Sequence, residues 1–186
     1  MTTRQRYVID TNASRFTVKA FAGGMSAAMG HSPTIAIRDF HGEVCCCLEN
    51  FQESTLEMRI VAASLSVDED MAEEDREELE RLMNEEVLKT SQHSEILFHS
   101  VEVKASEVTG GMYLAKVQGE LTLNGVTRSH TFGAHVVLQA KSLRASGDFR
   151  VRQSDYEIRL VSVAGGLLTL RDELKCAFSI VANLAE

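Results

Sequence analysis

The chain has 186 residues, 44% hydrophobic and 25% charged, which is the composition of one globular domain large enough to bury a core. Its net charge of −8 is concentrated: residues 68–86, DEDMAEEDREELERLMNEE, hold eleven of the 27 acidic residues against two arginines, so the rest is nearly neutral and offers no basic stripe to a nucleic acid. The opening MTTRQRYVID lacks the apolar run of a secretory signal, and no stretch reaches the roughly 18 apolar residues of a transmembrane segment, which predicts a cytoplasmic protein with four reduced cysteines.

In chain order, most segments alternate apolar and polar residues with period two, the mark of half-buried antiparallel strands. Phe16, Val18 and Ala20 alternate with Arg15, Thr17 and Lys19. The stretch HGEVCCCL, residues 41–48, holds three consecutive cysteines. In a strand Val44, Cys46 and Leu48 point to one face and Cys45 and Cys47 to the other, so the triple does not converge. Structural zinc wants four convergent ligands, usually as two spaced pairs, and no Cys-x-x-Cys occurs. The cysteines therefore read as compact apolar strand residues. Leu56, Met58 and Ile60 share a face, after which the phase slips to Val61, Ala63, Leu65 and Val67, which predicts a bulge.

From about Asp70 to Thr90 the pattern becomes helical, with Leu79, Leu82, Met83 and Val87 on one stripe. Asp70 is placed to cap it, with Glu73 three residues on, and Lys89 suits its end. The acidic block is the solvated face of this helix. Alternation then resumes in Tyr113, Ala115, Val117, Leu121 and Leu123. Asn124-Gly125 follows, a hairpin signal because both residues tolerate positive φ. Phe132, Ala134, Val136 and Leu138, then Leu143, Ala145, Phe149 and Val151, continue the meander. Leu174, Cys176, Phe178 and Ile180 form the inner face of the last strand.

These elements make one all-β domain over residues 1–186 with a single inserted helix, either a barrel or a sandwich. Small residues on inner faces, such as Ala115, Gly119, Ala134, Ala145 and Gly147, would widen the interior of a barrel. Catalytic signals are absent: there is no nucleophile elbow, no glycine-rich phosphate loop after a strand and no zinc-protease helix. His31 and His41 flank the cysteine strand and are the candidates for a metal or thiol site. His130 shares the phase of Phe132 and can place a polar group inside.

Six segments in order make the chain resemble the YceI-like family of lipocalin-like proteins. They are YVIDTNASRFTVKAF (7–21), GHSPTIAIRDFHGEV (30–44), LMNEEVLKTSQHSEILFHSVEV (82–103), GELTLNGVTRSHTF (119–132), RQSDYEI (152–158) and LRDELKCAFSIVA (170–182). Two positions depart from the family pattern. Ser94-Glu95 stand where a proline often precedes the strand, and Glu157 stands where a glycine often follows the Ser-Asp-aromatic motif. The resemblance implies an antiparallel up-and-down eight-stranded barrel with an apolar tunnel, a polyisoprenoid or fatty-acyl lipid as ligand, no cofactor and a homodimer. Val161 and Val163 are candidates to face a partner. In such a barrel the alternation gives Phe16, Val18, Leu56, Met58, Ile60, Tyr113, Val117, Phe132, Val136, Phe149, Cys176 and Phe178 as tunnel-lining residues. The family motif adds Arg152, Ser154, Asp155 and Tyr156 as ligand contacts or turn-holding residues.

Three functions compete on this reading. The leading one is non-enzymatic binding of an isoprenoid or other amphiphilic lipid for storage, transport or stress protection. The second is a packed barrel that docks a partner through its acidic helix. The third is a metal- or thiol-dependent enzyme built on His31, His41 and a cysteine.

Overall fold

The computed structural model describes residues 4–23, 32–160, 162–163 and 168–185. The described strands are β1 (Arg4–Ile9), β2 (Arg15–Gly23), β3 (Thr34–Ile37), β4 (Phe40–Cys47), β5 (Thr55–Val61), β6 (Leu65–Val67), β7 (Glu95–Thr109), β8 (Met112–Leu123), β9 (Val126–Leu138), β10 (Ser142–Arg152), β11 (Ser162–Val163) and β12 (Leu168–Leu184). The helix α1 (Glu73–Leu82) lies between β6 and β7.

Pairing runs β1-β4-β5-β7-β8-β9-β10-β12, and β12 returns to β1, so eight antiparallel strands close a barrel. Closure pairs each of these strands on both sides, with the β9–β10 ladder confined to Leu138–His135 and Leu143–Ser146. Three barrel positions are shared by two segments each. β12 pairs β1 through Ala182–Leu184 and pairs β2 through Leu174–Ser179. Between β1 and β2 the Asp10 carboxylate accepts from the backbone N–H groups of Asn12 and Ala13, at 3.0 and 3.2 Å, and bends the chain. Buried Ser14 then restores the edge by accepting from the Val181 N–H at 2.9 Å.

The phase slip after Ile60 is not a bulge. β5 ends at Val61, and a 3₁₀ turn over Ala62–Ser64 carries the chain on to β6. β5 pairs β4, whereas β6 pairs β3. The Ser64 hydroxyl accepts from the Asp39 N–H at 3.0 Å and pins this turn to the β3–β4 junction.

Beyond β5 the wall flares, because β6 does not continue the pairing with β7. The helix covers this end. The Glu80 carboxylate accepts from the N–H of Val67 at 2.8 Å, so a helix side chain caps the end of β6. The helix is shorter than the stripe predicts, passing into a single π turn over Met83–Val87. Asp70 does not cap it. Ala72 occupies the N-cap with no side-chain bond, and the nearby Glu69 carboxylate is spent on the Thr34 N–H at 2.9 Å. Lys89 ends the segment in the left-handed region at φ 47°.

The Asn124-Gly125 hairpin forms as predicted, with φ 51° and 74° and Leu123 paired to Val126. The tightest packing includes Tyr7, Phe40 and Cys47, each at most 2% exposed.

Candidate functional site: a two-chamber apolar tunnel

The barrel interior is not filled. It holds two adjoining cavities of about 170 and 160 Å³. The upper one is lined by Leu56, Met58, Tyr113, Val117, Phe132, Val136 and Phe178, among others. The lower one is lined by Val18 and Cys176 from the sheet and by Leu79, Leu82 and Met83 from the helical segment. Phe16, Ile60, Ile96, Leu121 and Phe149 border both and form the waist between them. All twelve residues that alternation places inside therefore face one chamber or both.

Aromatic rings shape the upper chamber and the waist. Phe149 lies 5.3 Å from Phe132 and 6.3 Å from Phe16, and Phe132 lies 5.4 Å from Phe98. Gly119 and Gly147 do not widen the interior as expected. A Cβ at Gly119 would strike the Phe98 ring, and one at Gly147 would come within 2.8 Å of the Phe178 ring. The glycines are the seats of these two rings. Ala115, Ala134 and Ala145 do line the upper chamber. One end is covered by the 3₁₀ turn Phe51–Glu53, where Phe51 packs edge-on against Tyr113 at 5.0 Å.

Few polar groups reach the lining. Ser54 accepts from the Cys47 N–H at 2.9 Å. Gln153, in the lower chamber, donates to the Arg171 carbonyl at 3.0 Å. His130 differs: its Nε2 is buried without a hydrogen-bond partner, and its ring meets Phe149 edge-on at 5.0 Å. Burial pushes its pKa below the usual histidine value, which favours the neutral ring. Burial acts in the opposite sense on the thiols. It raises Cys46, and it pushes Cys176 up to about 12, so both stay protonated and behave as apolar lining.

The motif residues Arg152, Ser154, Asp155 and Tyr156 line neither chamber. Arg152 ends β10, and the other three belong to the 3₁₀ turn Gln153–Tyr156 that follows it. The Asp172 carboxylate accepts from both the N–H and the hydroxyl of Ser154, at 2.7 and 2.6 Å, and these bonds hold its pKa below the usual carboxylate value. Tyr156 is buried in the core, and its carbonyl accepts from Asn124 Nδ2 at 3.1 Å. Arg128 Nε donates to the Asp155 carbonyl at 3.1 Å. The turn is thus tied to β9 and β12. Arg152, Asp155 and Tyr156 border a separate polar pocket on the outer wall.

The metal reading finds no cluster among the described residues. His41 is exposed and sits 3.3 Å from Asp39 on the outer face. Cys46 faces inward, and Cys45 is four residues from His41, about 13 Å along a strand. His31 and Val161 lie outside the described residues, and the side chain of Val163 does also.

A closed eight-stranded barrel with a hollow apolar interior is an architecture that can enclose one small ligand. Residues 7–182 match the YceI-like domain, and the chain belongs to that family. Its fold is similar to that of BcnA from Burkholderia cenocepacia, with a TM-score of 0.71 at 16% identity over 93% of this chain and 98% of that one. A polyisoprenoid-binding domain from Saccharophagus degradans gives 0.71 at 15% identity over 96% and 98%. The YceI protein of Campylobacter jejuni gives 0.59 at 16% identity over 82% and 85%. No curated protein matches the chain. No described helix is long and apolar enough to cross a membrane.

Proposed function

We propose that the chain is a non-enzymatic binding protein that encloses the hydrocarbon part of an isoprenoid or other amphiphilic lipid. The observation that carries the reading is the pair of adjoining apolar chambers around one waist. Each is comparable to the roughly 150 Å³ apolar cavity that stays dry and accepts benzene. Two in series suit a chain rather than a compact molecule. Burial of each methylene-sized group contributes about 0.8 kcal/mol, so affinity grows with the length enclosed. The polyisoprenoid-binding neighbour from Saccharophagus degradans supports the same class of ligand. Transport, storage or stress protection is the role this reading supports, and a homodimer is a separate part of the proposal, for which exposed Val101, Val108, Met112 and Leu114 on β7 and β8 offer apolar surface.

The test is native mass spectrometry of the freshly purified protein, followed by solvent extraction and mass analysis. The expected result is one isoprenoid or acyl lipid per chain. A bare mass that stays bare after incubation with farnesol and with oleate would sink the reading.

A further inference from the structure

The barrel wall has a seam. β9 and β10 pair only through Leu138–His135 and Leu143–Ser146. Past Ser146 the two strands stop sharing a ladder, although both remain regular. β9 keeps its pairing with β8 down to Val126, and β10 keeps its pairing with β12 down to Arg152. Just past Ser146 the strands still touch, a Cβ at Gly147 falling 2.5 Å from the Gly133 carbonyl, and beyond that point no ladder joins their facing edges. The turn tied down by Arg128 and Asn124 closes the far end of this unpaired stretch.

A polar pocket of about 390 Å³ opens over this unpaired stretch. His130 lines both this pocket and the upper apolar chamber, so its ring is the partition between them. Its Nε2 has no partner. A buried polar atom left unsatisfied is destabilising, and a ligand atom placed there would remove that cost. The pocket carries Arg128, Arg150 and Arg152 against Asp155 and Glu173. Arg150 pairs with Glu173. The nearby Asp172 carboxylate is taken up by Ser154. Arg152 lies opposite Glu173 in the ladder and within electrostatic reach of Asp172, but its guanidinium donates no hydrogen bond among the described residues, and the terminal nitrogens of Arg128 likewise keep their donors for a ligand.

We propose that this seam seats the polar head of the tunnel's ligand, and that the head is an anionic oxygen group, a carboxylate or a phosphate, held by Arg152 and His130. The planar guanidinium fork matches either group, and the hydrocarbon tail passes beneath the His130 ring into the upper chamber. This rests on the lipid-binding reading and adds the head-group class and its place, in the wall rather than at a barrel end.

The experiment is calorimetric titration of the full chain with dodecanoate, dodecyl phosphate and dodecanol. It is repeated on Arg152→Gln, an exposed change, and on His130→Phe. Both anions are expected to bind about tenfold tighter than the alcohol, the effect of one hydrogen bond to a charged group. Arg152→Gln, outside both chambers, is expected to remove that advantage and leave dodecanol unchanged; His130→Phe, which also alters the chamber lining, is expected to bring the anions level with the alcohol whatever it does to the alcohol itself. The tighter anion identifies the head as carboxylate or phosphate. Equal binding of all three probes, or variants that weaken all three alike, would overturn the seam while the tunnel stands. No binding of any probe would overturn both.

Discussion

Glu157 holds a backbone conformation that its side chain does not favour. Its φ is 56°, at the end of the turn that fastens β10 to β9 and β12. The left-handed region costs a non-glycine residue about 1–2 kcal/mol, and glycine loses about 0.5–1 kcal/mol more backbone entropy on folding. Glu157→Gly should therefore raise stability by up to about 1 kcal/mol in urea unfolding; a clear loss would mean that the Glu157 side chain itself supports the turn. Nothing in the residue type announces this geometry, and only the family pattern, with glycine there, points to it. The cysteines were more legible. Period-two alternation put Cys46 on the face opposite Cys45 and Cys47, without saying which face is inner, and the structure places Cys46 in the upper chamber.

At the scale of elements, the alternation marked inner faces well because a strand's side-chain period is fixed by its pleat. It could not say what fills an inward glycine, since that depends on a ring from another strand: Phe98 at Gly119, Phe178 at Gly147. The slip after Ile60 was visible as a change of phase, but its cause, a 3₁₀ turn that passes the chain from β4 to β3, is a matter of partner choice. The helix cap failed for a similar reason. Glu69, beside the expected cap Asp70, is engaged by Thr34, a residue remote in sequence, and the helix begins uncapped at Ala72. Serine at the N-cap typically stabilises by about 1 kcal/mol over alanine. Ala72→Ser should add about that much to helix stability, read as slower hydrogen exchange at residues 74–76. Unchanged exchange would show that packing on the lower chamber, not the cap, limits opening of this end.

For the whole molecule, the imidazole in the barrel wall couples stability to pH. Burial lowers the folded pKa of His130 below its unfolded value of about 6.5. Above the unfolded value both states are neutral at this site, and it contributes no pH dependence. As pH falls through about 6.5 the unfolded chain takes up a proton that the folded chain refuses, so stability declines until the folded value is passed. Asp172 acts lower on the scale. Its folded pKa is lowered by the Ser154 bonds, so its contribution is present above an unfolded value of about 3.8 and is lost as pH falls through the folded one. Two separate acid limbs are expected in a series of urea midpoints between pH 8 and pH 3. His130→Phe should flatten the upper limb alone and Ser154→Ala the lower limb alone. If His130→Phe left the upper limb intact, the ring would already be solvated in the folded protein. The wall between tunnel and outer pocket would then be open at that point.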